Sequence, residues 1–191
     1  MNTEELKQTL YAKVEEINDL DIRRFTKQAL DNTSEWFWVS PCSGTRKHHP
    51  PENQVEGGII IHTLKCIPVA KDLCYYFNLN PEDTNIVVAG VILHDIKKFG
   101  EPWGQSSDKE HGRIGAEYLE RFELKELAKT EIKNCVRYHM GRFEKQDKNL
   151  TSFSMKEYVV QVTDFFCSRE YASWLPGRKL NEDEIKDFIL K

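Results

Sequence analysis

Histidine is the residue type in this sequence most able to do chemistry, because there are only six and most fall in or beside apolar segments. His62 lies in the run IIIHTL (59–64), and His94 follows the run VIL and is itself followed by Asp95. A buried polar group without a partner is costly. Two interpretations stay open at this point. Each histidine could be a separate core residue bonded to a backbone carbonyl, or the group could share a divalent metal, which imidazole and carboxylate both bind.

Three further candidate ligands stand at the ends or on the apolar faces of other predicted helices. We expect His111 in the first turn of a helix capped by Ser107 or Asp108. His139 closes a helix that begins near Leu124, and Asp164 follows the apolar segment VVQV. For each histidine taken alone the core interpretation is favoured, and both interpretations stay open for the set.

Helical periodicity dominates the elements that must position these groups. Leu6, Leu10, Val14 and Ile17 form an apolar stripe at helical spacing. Asn80-Pro81 and the pair Ser154/Glu157 are typical helix starts. No clean two-residue alternation predicts a strand. The sequence predicts an all-α fold, with about seven or eight helices in one bundle-like domain. We expect helices over 3–35 and a short C-terminal helix over 181–190.

Composition limits the classes of protein that fit. The chain has 191 residues, 39% hydrophobic and 30% charged, which is typical of one globular domain. No apolar run approaches the length of a membrane span, and the polar, acidic N-terminus is unlike a secretory signal. A net charge of −4 argues against a general nucleic-acid coat. Five cysteines without a CxxC pair predict reduced thiols in a cytoplasmic protein.

The long predicted loop over residues 40–57 is the best local basic patch. It carries four consecutive basic or imidazole side chains: Arg46, Lys47, His48 and His49. They form either a clamp for a substrate phosphate or a solvated surface. A second loop, 99–108, holds Trp103, which we expect to anchor its own loop rather than to stack a base. We expect Trp36, Phe37 and Trp38 in the core.

The order of these motifs resembles the HD-domain superfamily of metal-dependent phosphohydrolases. GGIIIHTL (57–64) is similar to the helix of that family that carries the first ligand, and AGVILHDIKKFG (89–100) to its HDIGK motif. VRYHMGR (136–142) resembles its HH element, and VVQVTDFFCSRE (159–170) its distal aspartate. The resemblance covers residues 45–180, and it implies a single HD domain over 1–191.

The resemblance implies a ligand set and a mechanism. The first ion would be bound by His62, His94, Asp95 and Asp164, with Asp95 bridging to a second ion completed by His111 and His139. We therefore expect one or two divalent ions per chain: Mn, Fe, Ni, Co, Zn or Mg. Such ions activate water for attack on phosphorus.

Asp95 and Lys98 are the expected catalytic residues. Lys98 lies three residues after Asp95, on nearly the same helix face, where it could contact a phosphoryl oxygen. The alternative interpretation is that Lys98 is a solvated side chain at a helix end. Lys97 points about 100° away and is expected to reach solvent. Arg142 and Arg178 are further candidate phosphate contacts, with an ordinary surface arginine as the alternative for each.

The chain departs from the family pattern at several positions. Lys97 replaces the glycine of HDIGK, Met140 replaces the second histidine of HH, and Thr163 precedes the distal aspartate. The sequence contains no GYP motif, so a cyclic-dinucleotide specificity has no support. In motif style the chain is closest to the HD domains of bacterial 3′-5′ exoribonucleases and of RNase Y.

The sequence therefore predicts a phosphohydrolase or phosphodiesterase. Its expected partners are a phosphorylated small molecule, a nucleotide or a short nucleic acid, with no membrane partner. Two alternatives stay open: a mixed-valent di-iron oxygenase, since some HD-fold proteins use the same ligands, and a non-catalytic nucleotide-binding module. Oligomeric state is not predicted.

Overall fold

The computed structural model describes residues 2–43, 49–143 and 148–169, without the side chain of Arg142. This part of the chain is all-α, as predicted, and contains no strand. Its helices are α1 (Thr3–Glu15), α2 (Leu20–Asp31), α3 (Glu35–Val39), α4 (Gly58–Tyr76), α5 (Pro81–Leu93), α6 (His111–Leu119), α7 (Glu126–Tyr138) and α8 (Met155–Cys167). Short 3₁₀ helices span Pro51–Gln54, Gly141–Phe143 and Leu150–Ser152. The helix predicted over 181–190 lies outside the described residues.

Helix α5 lies at the centre of the fold, in contact with α2, α4, α7 and α8. Asn80 caps it by accepting a hydrogen bond from the Asp83 amide at 2.8 Å, and Pro81 fills the first helical position, as predicted. Every residue from 85 to 93 is buried, which is typical of a helix surrounded by others. The helix ends at Leu93, so His94 and Asp95 follow directly from the centre of the core.

The first three helices cover one side of this centre. The predicted stripe of Leu6, Leu10, Val14 and Ile17 is buried, and α1 and α3 pack against α4. Phe37 and Trp38 are buried as expected. The expectation for Trp36 was wrong: 58% of its surface is exposed, because α3 is a short surface helix with only one face turned inward.

Helix α4 begins under the loop that precedes it. The Gly57 amide donates to the Val39 carbonyl at 3.1 Å, and the Ile59 amide donates to the Ser40 carbonyl at 3.3 Å. The loop thereby satisfies backbone donors that every helix start leaves unpaired. A Cβ on Gly58 would lie 2.0 Å from the Asn53 carbonyl oxygen, so the loop can approach this closely only over glycine.

Helices α6 and α7 also pack closely against each other. A Cβ on Gly112 would lie 2.6 Å from the Arg137 carbonyl oxygen. The predicted cap of α6 was wrong in detail. Glu110 holds the cap position, and the Asp108 carboxylate accepts the Glu110 amide at 2.7 Å instead. The capping box of Ser154 and Glu157 at the start of α8 is confirmed. No helix in the described residues is long and apolar enough to cross a membrane.

Candidate metal centre

Six buried side chains from five helices meet at the end of α5. His62 comes from the fifth position of α4, His94 and Asp95 directly follow α5, and His111 begins α6. His139 directly follows α7, and Asp164 lies near the end of α8. They form two groups of donor atoms that each lie within 4.8 Å of one another. The first donor set is His62, His94 and Asp164, and the second donor set is Asp95, His111 and His139.

The second donor set is the tighter of the two. His111 Nε2 lies 3.2 Å and His139 Nε2 lies 3.4 Å from the same oxygen, Asp95 Oδ1. The two imidazole nitrogens are 3.0 Å apart. Three donor atoms therefore converge on one point.

Backbone carbonyls fix which nitrogen each of three histidines presents. The Nδ1 atoms of His94, His111 and His139 donate to the carbonyl oxygen three residues earlier, at 2.6, 2.6 and 2.7 Å. A carbonyl only accepts, so each Nδ1 carries the proton and a neutral ring presents an Nε2 lone pair. Metal-binding histidines are usually oriented by such a hydrogen bond.

The first donor set joins α4 to α8. His62 Nε2 lies 2.9 Å and His94 Nε2 lies 3.7 Å from Asp164 Oδ1. His94 Nε2 is also 3.5 Å from Asp95 Oδ2, which links the two sets. This His94 nitrogen is buried and has no hydrogen-bond partner among the described residues. Such an orphaned lone pair is costly unless something binds it.

Burial and charge together set the protonation of this centre. Burial acts to raise the pKa of Asp95, but the positive charge of Lys98 and the neighbouring histidines together outweigh it and hold that pKa well below its usual range. Burial has the same effect on Asp164, and its hydrogen bond with His62 together with the nearby His94 and His139 outweighs it. Burial lowers the pKa of both His62 and His139. Asp95 and Asp164 are therefore ionised and His62 and His139 are unprotonated, which are the forms that bind metal. Burial also acts to lower the pKa of His94, but the charges of Asp95 and Asp164 raise it overall.

Divalent ions fit these spacings. Ligands at about 2.1 Å from an ion lie roughly 3.0 Å apart in an octahedron and roughly 3.4 Å apart in a tetrahedron. The second donor set spans 3.0 to 3.4 Å. Without a cation, lone pairs of His111 and His139 would face each other and a carboxylate. Asp95, Asp164 and Lys98 sum to a charge of −1, which favours a cation.

A protein-family model named HD domain matches residues 59–185, about two thirds of the chain. The chain belongs to the HD domain family. This is a family of metal-dependent phosphohydrolases, consistent with the buried histidines and aspartates. No curated protein matched the chain. No solved structure matched it either.

Two adjacent lysines of this HD domain have different surroundings. The Lys98 ammonium donates to both oxygens of Asp95, at 2.9 and 3.1 Å, and is buried. The expectation for Lys97 was wrong, because its side chain does not reach solvent and is 6% exposed. Its ammonium lies 4.0 Å from the centre of the Tyr118 ring and 3.2 Å from Glu101. Lys97 therefore joins the turn after α5 to α6.

The structure describes only part of the predicted substrate-binding group. Arg46, Lys47, His48 and Arg178 lie outside the described residues, as does the side chain of Arg142. His49 is buried, and its ring packs edge-on against His62 with centroids 5.0 Å apart. Burial and the neighbouring His62 lower the pKa of His49, so the ring is neutral near pH 7. Trp103 stacks on Phe99 at 5.0 Å within its own loop.

Two buried residues beside the centre had no assigned role from the sequence. Cys42 lies 4.0 Å from Asp95 Oδ2 through its Sγ atom, and burial raises the pKa of its thiol. Lys65, three residues after His62, pairs with Glu52 at 3.6 Å while fully buried. A lysine inside the apolar run IIIHTLKCI was a usable signal for the second. Nothing in the local sequence distinguished Cys42 from the other cysteines.

Proposed function

We propose that this HD domain hydrolyses a phosphate ester of a nucleotide or a short oligonucleotide, as a phosphodiesterase or nuclease. The proposed metal ligands are all six candidates: His62, His94, Asp95, His111, His139 and Asp164. The main support is the convergence of two lone-pair nitrogens on one oxygen of Asp95, with each ring fixed by its backbone hydrogen bond. This arrangement is satisfied by a cation.

Asp95 has a distinct place in the proposal because its two oxygens face different donor sets. Oδ1 faces His111 and His139, whereas Oδ2 lies nearer His94. The proposal makes this carboxylate the bridge between two ions. The ligands are nitrogen and oxygen atoms, which suit Mn, Fe, Co, Ni or Zn and, less well, Mg. When bound, such ions acidify a water molecule and neutralise charge on a phosphoryl group.

Lys98 contributes positive charge rather than a transferable proton. Burial acts to lower its pKa, but the carboxylate of Asp95 outweighs this, and the pKa is raised. The ammonium therefore stays charged throughout the neutral range. An ammonium has three N–H donors, and two are directed at Asp95. In the proposal, the third donates to a phosphoryl oxygen.

Two features support a nucleotide rather than a simple phosphate ester. The basic residues Arg46, Lys47 and His48 directly precede His49, which packs on His62 at the centre. Phe143, four residues after His139, stacks on Phe165 at 5.8 Å and is 52% exposed. Exposed aromatic rings stack bases of any sequence. The remaining proposed phosphate contacts are Arg142 and Arg178.

The test is hydrolysis of bis-p-nitrophenyl phosphate by protein treated with a chelator and then supplied with Mn²⁺ or Ni²⁺. We expect metal-dependent release of nitrophenol. We expect His94→Ala to lower it by at least about 100-fold, since even outer ligand partners contribute 10–100-fold. Phosphomonoesters, cyclic nucleotides and short RNA and DNA then define the substrate.

Lys97→Met is the matched control, because it alters a neighbouring buried side chain that contacts no candidate ligand among the described residues. It should retain hydrolysis. The proposal fails if metal restores no hydrolysis of any of these esters. Oxygen consumption with a mixed-valent iron signal would show the oxygenase instead, and nucleotide binding without turnover would show the non-catalytic module.

A further inference from the structure

Cys42 differs from Cys74, Cys135 and Cys167 in what surrounds it, and it shares with Cys66 a sulfur close to a histidine nitrogen. All five are buried, but Cys66, Cys74, Cys135 and Cys167 belong to the hydrophobic core, and Cys42 does not. A buried free cysteine usually behaves as a small apolar side chain. The Cys42 sulfur instead lies 3.6 Å from His49 Nε2 and 4.0 Å from Asp95 Oδ2. Its near neighbours are metal-ligating groups.

The spacing of these atoms matches a metal site. Zinc binds thiolate sulfur at about 2.3 Å and imidazole nitrogen at about 2.0–2.1 Å. In a tetrahedron this separates sulfur and nitrogen by roughly 3.5 Å, close to the 3.6 Å between Cys42 and His49. Donor atoms of Cys42, His49 and His62 lie within 4.8 Å of one another.

His49 supplies a second, independent observation. Its ring is 7% exposed, and its Nδ1 is buried without a hydrogen-bond partner in the described part of the chain. Its neutral ring faces the sulfur through Nε2 and packs edge-on against His62. The ring therefore presents Nε2 to the sulfur without, among the described residues, a backbone anchor on Nδ1 of the kind that His94, His111 and His139 have.

Backbone contacts hold Cys42 in place at the start of α4. The Cys42 amide donates to the Asn53 carbonyl at 2.8 Å, and the same carbonyl packs on Gly58 at the start of α4. The buried pair of Glu52 and Lys65 joins the loop to the same helix. Cys42 therefore approaches His62 through fixed backbone contacts.

We propose that Cys42, His49 and His62 form a thiol set that binds a thiophilic divalent ion such as Zn²⁺, beside the two donor sets already described. On binding, the Cys42 S–H proton leaves to solvent and a sulfur–metal bond forms. His62 is shared with the first donor set. An ion in the thiol set therefore competes with the first donor set for this imidazole, and Zn²⁺ inhibits the Mn²⁺-supported hydrolysis. Only this inhibition rests on the proposed function.

The test is titration of the metal-free full chain with Co²⁺, followed by the sulfur-to-cobalt charge-transfer absorption. We expect the band in the wild type, its loss in Cys42→Ser, and a weaker band in His49→Asn. Cys66→Ser is the critical comparison, because the Cys66 sulfur lies 3.6 Å from His62 Nε2. Cys74→Ser is the control for a buried cysteine in the core. Both should keep the band.

X-ray absorption at the zinc edge of the wild type saturated with Zn²⁺ gives a second measurement that needs no variant. It should show a sulfur shell at about 2.3 Å. The inference is overturned by a spectrum with nitrogen and oxygen ligands alone, by a cobalt band that survives in folded Cys42→Ser, or by a band lost in Cys66→Ser instead. A wild-type band without Mn²⁺-dependent hydrolysis would support the thiol set and remove the proposed function.

Discussion

The histidines of the two donor sets are held in two ways, because His94 of the first donor set has the same backbone anchor as both imidazoles of the second, whereas His62 has none within the described residues. In the second donor set, both imidazoles sit at helix ends, and their Nδ1 atoms bond to the carbonyls of Asp108 and Val136. His62 of the first donor set lies inside α4, where the surrounding carbonyls belong to the helix. In the described structure its ring contacts Asp164 at 2.9 Å and the Cys66 sulfur at 3.6 Å, with no backbone anchor.

This difference has a chemical consequence. The Asp108 carbonyl lies before α6 and the Val136 carbonyl lies in the last turn of α7, where carbonyls lack intrahelical partners, so His111 and His139 are oriented by the fold before any ion binds. A histidine inside a helix takes its orientation from side chains and is freer to change partners. We infer that the second donor set is rigid and selects nitrogen and oxygen coordination, whereas His62 can serve either of two neighbouring sets.

The largest effect should follow from changing Asp95, which belongs to the second donor set and also faces His94 of the first. Asp95→Asn removes the charge that faces His111 and His139 on one side and His94 on the other. We expect kcat to fall by at least about 100-fold. The Lys98 ammonium is left buried without its counter-charge, which costs about 3–5 kcal/mol. Hydrolysis assays and chemical denaturation measure the two effects.

The double variant Asp95→Asn, Lys98→Met separates stability from function. Removing both charges should recover most of the lost stability, since a buried ion pair can be replaced by uncharged groups at little net cost. Hydrolysis should stay lost. Recovery of activity in the double variant would contradict the role of Asp95 as a shared ligand.

Two glycines allow the second donor set and the loop that carries Cys42 to be disturbed separately. An added Cβ on Gly112 would clash with Arg137 and force α6 from α7, at a cost of about 1–3 kcal/mol. We expect Gly112→Ala to lose the ion of the second donor set. Gly58→Ala displaces the loop that carries Cys42 and should leave that ion in place. Metal content after dialysis distinguishes the two variants, and equal losses of metal would mean that the second donor set and this loop are not independent.

The adjacent lysines allow a comparison at single-residue resolution. Lys98→Met removes the ammonium held by both Asp95 oxygens and should lower kcat/KM by roughly 100-fold, as loss of a charge-stabilising donor does. Lys97→Met removes the contact with Tyr118 and should cost about 1 kcal/mol of stability, with kcat/KM unchanged. Similar kinetic losses in both variants would argue against a phosphate contact by Lys98.

A smaller effect is expected from pH on the metal-free protein. Burial lowers the folded-state pKa of His49, His62 and His139. Their stabilisation is complete above the unfolded value of about 6.5 and is lost as pH falls from there towards the folded values. Burial also acts to lower the pKa of His94, but the neighbouring carboxylates, Asp95 first, raise it overall. The stabilising contribution of His94 is therefore complete at low pH and is lost as pH rises.

His49, His62 and His139 lose stabilisation on acidification, whereas His94 gains it. We expect the large shift of His49, to a pKa of about 2, to decide the sign, so the Tm of chelator-treated protein should fall on acidification from about pH 7 to about pH 5. Asp95 and Asp164 do not contribute in this range, because their lowered pKa values keep them ionised. A Tm that rises on acidification would contradict the assignment of neutral imidazoles. Substituting His49 should flatten the profile.

The sequence predicted the helical fold because its signals are local. The cap at Asn80-Pro81, the box at Ser154 and Glu157 and the apolar stripe of α1 depend on neighbours within one or two turns. The six clustered side chains were proposed from the family's motif order, which records contacts between distant segments. The structure brings them together, and their ligand roles stay predictions.

The surroundings of Lys97, Trp36 and Cys42 could not be predicted in the same way. Continued helical spacing after α5 predicted that Lys97 would point towards solvent. The helix instead ends at Leu93, and the ring of Tyr118 in α6 lies over the Lys97 ammonium. Trp36 was expected in the core from its hydrophobicity, but α3 turns it outward. Cys42 approaches Asp95 from 53 positions away. Each outcome depends on packing between segments with no local signal.

The central claim is that Asp95, a member of the second donor set, also serves the first donor set through the oxygen that faces His94. The most direct test is the metal content of the wild type, His62→Ala and His139→Ala by mass spectrometry after loading with Mn²⁺ and gel filtration. We predict two ions per chain in the wild type. His139→Ala should lose the ion of the second donor set, His62→Ala that of the first, and each should retain the other. Wild-type metal content in both variants would contradict the claim.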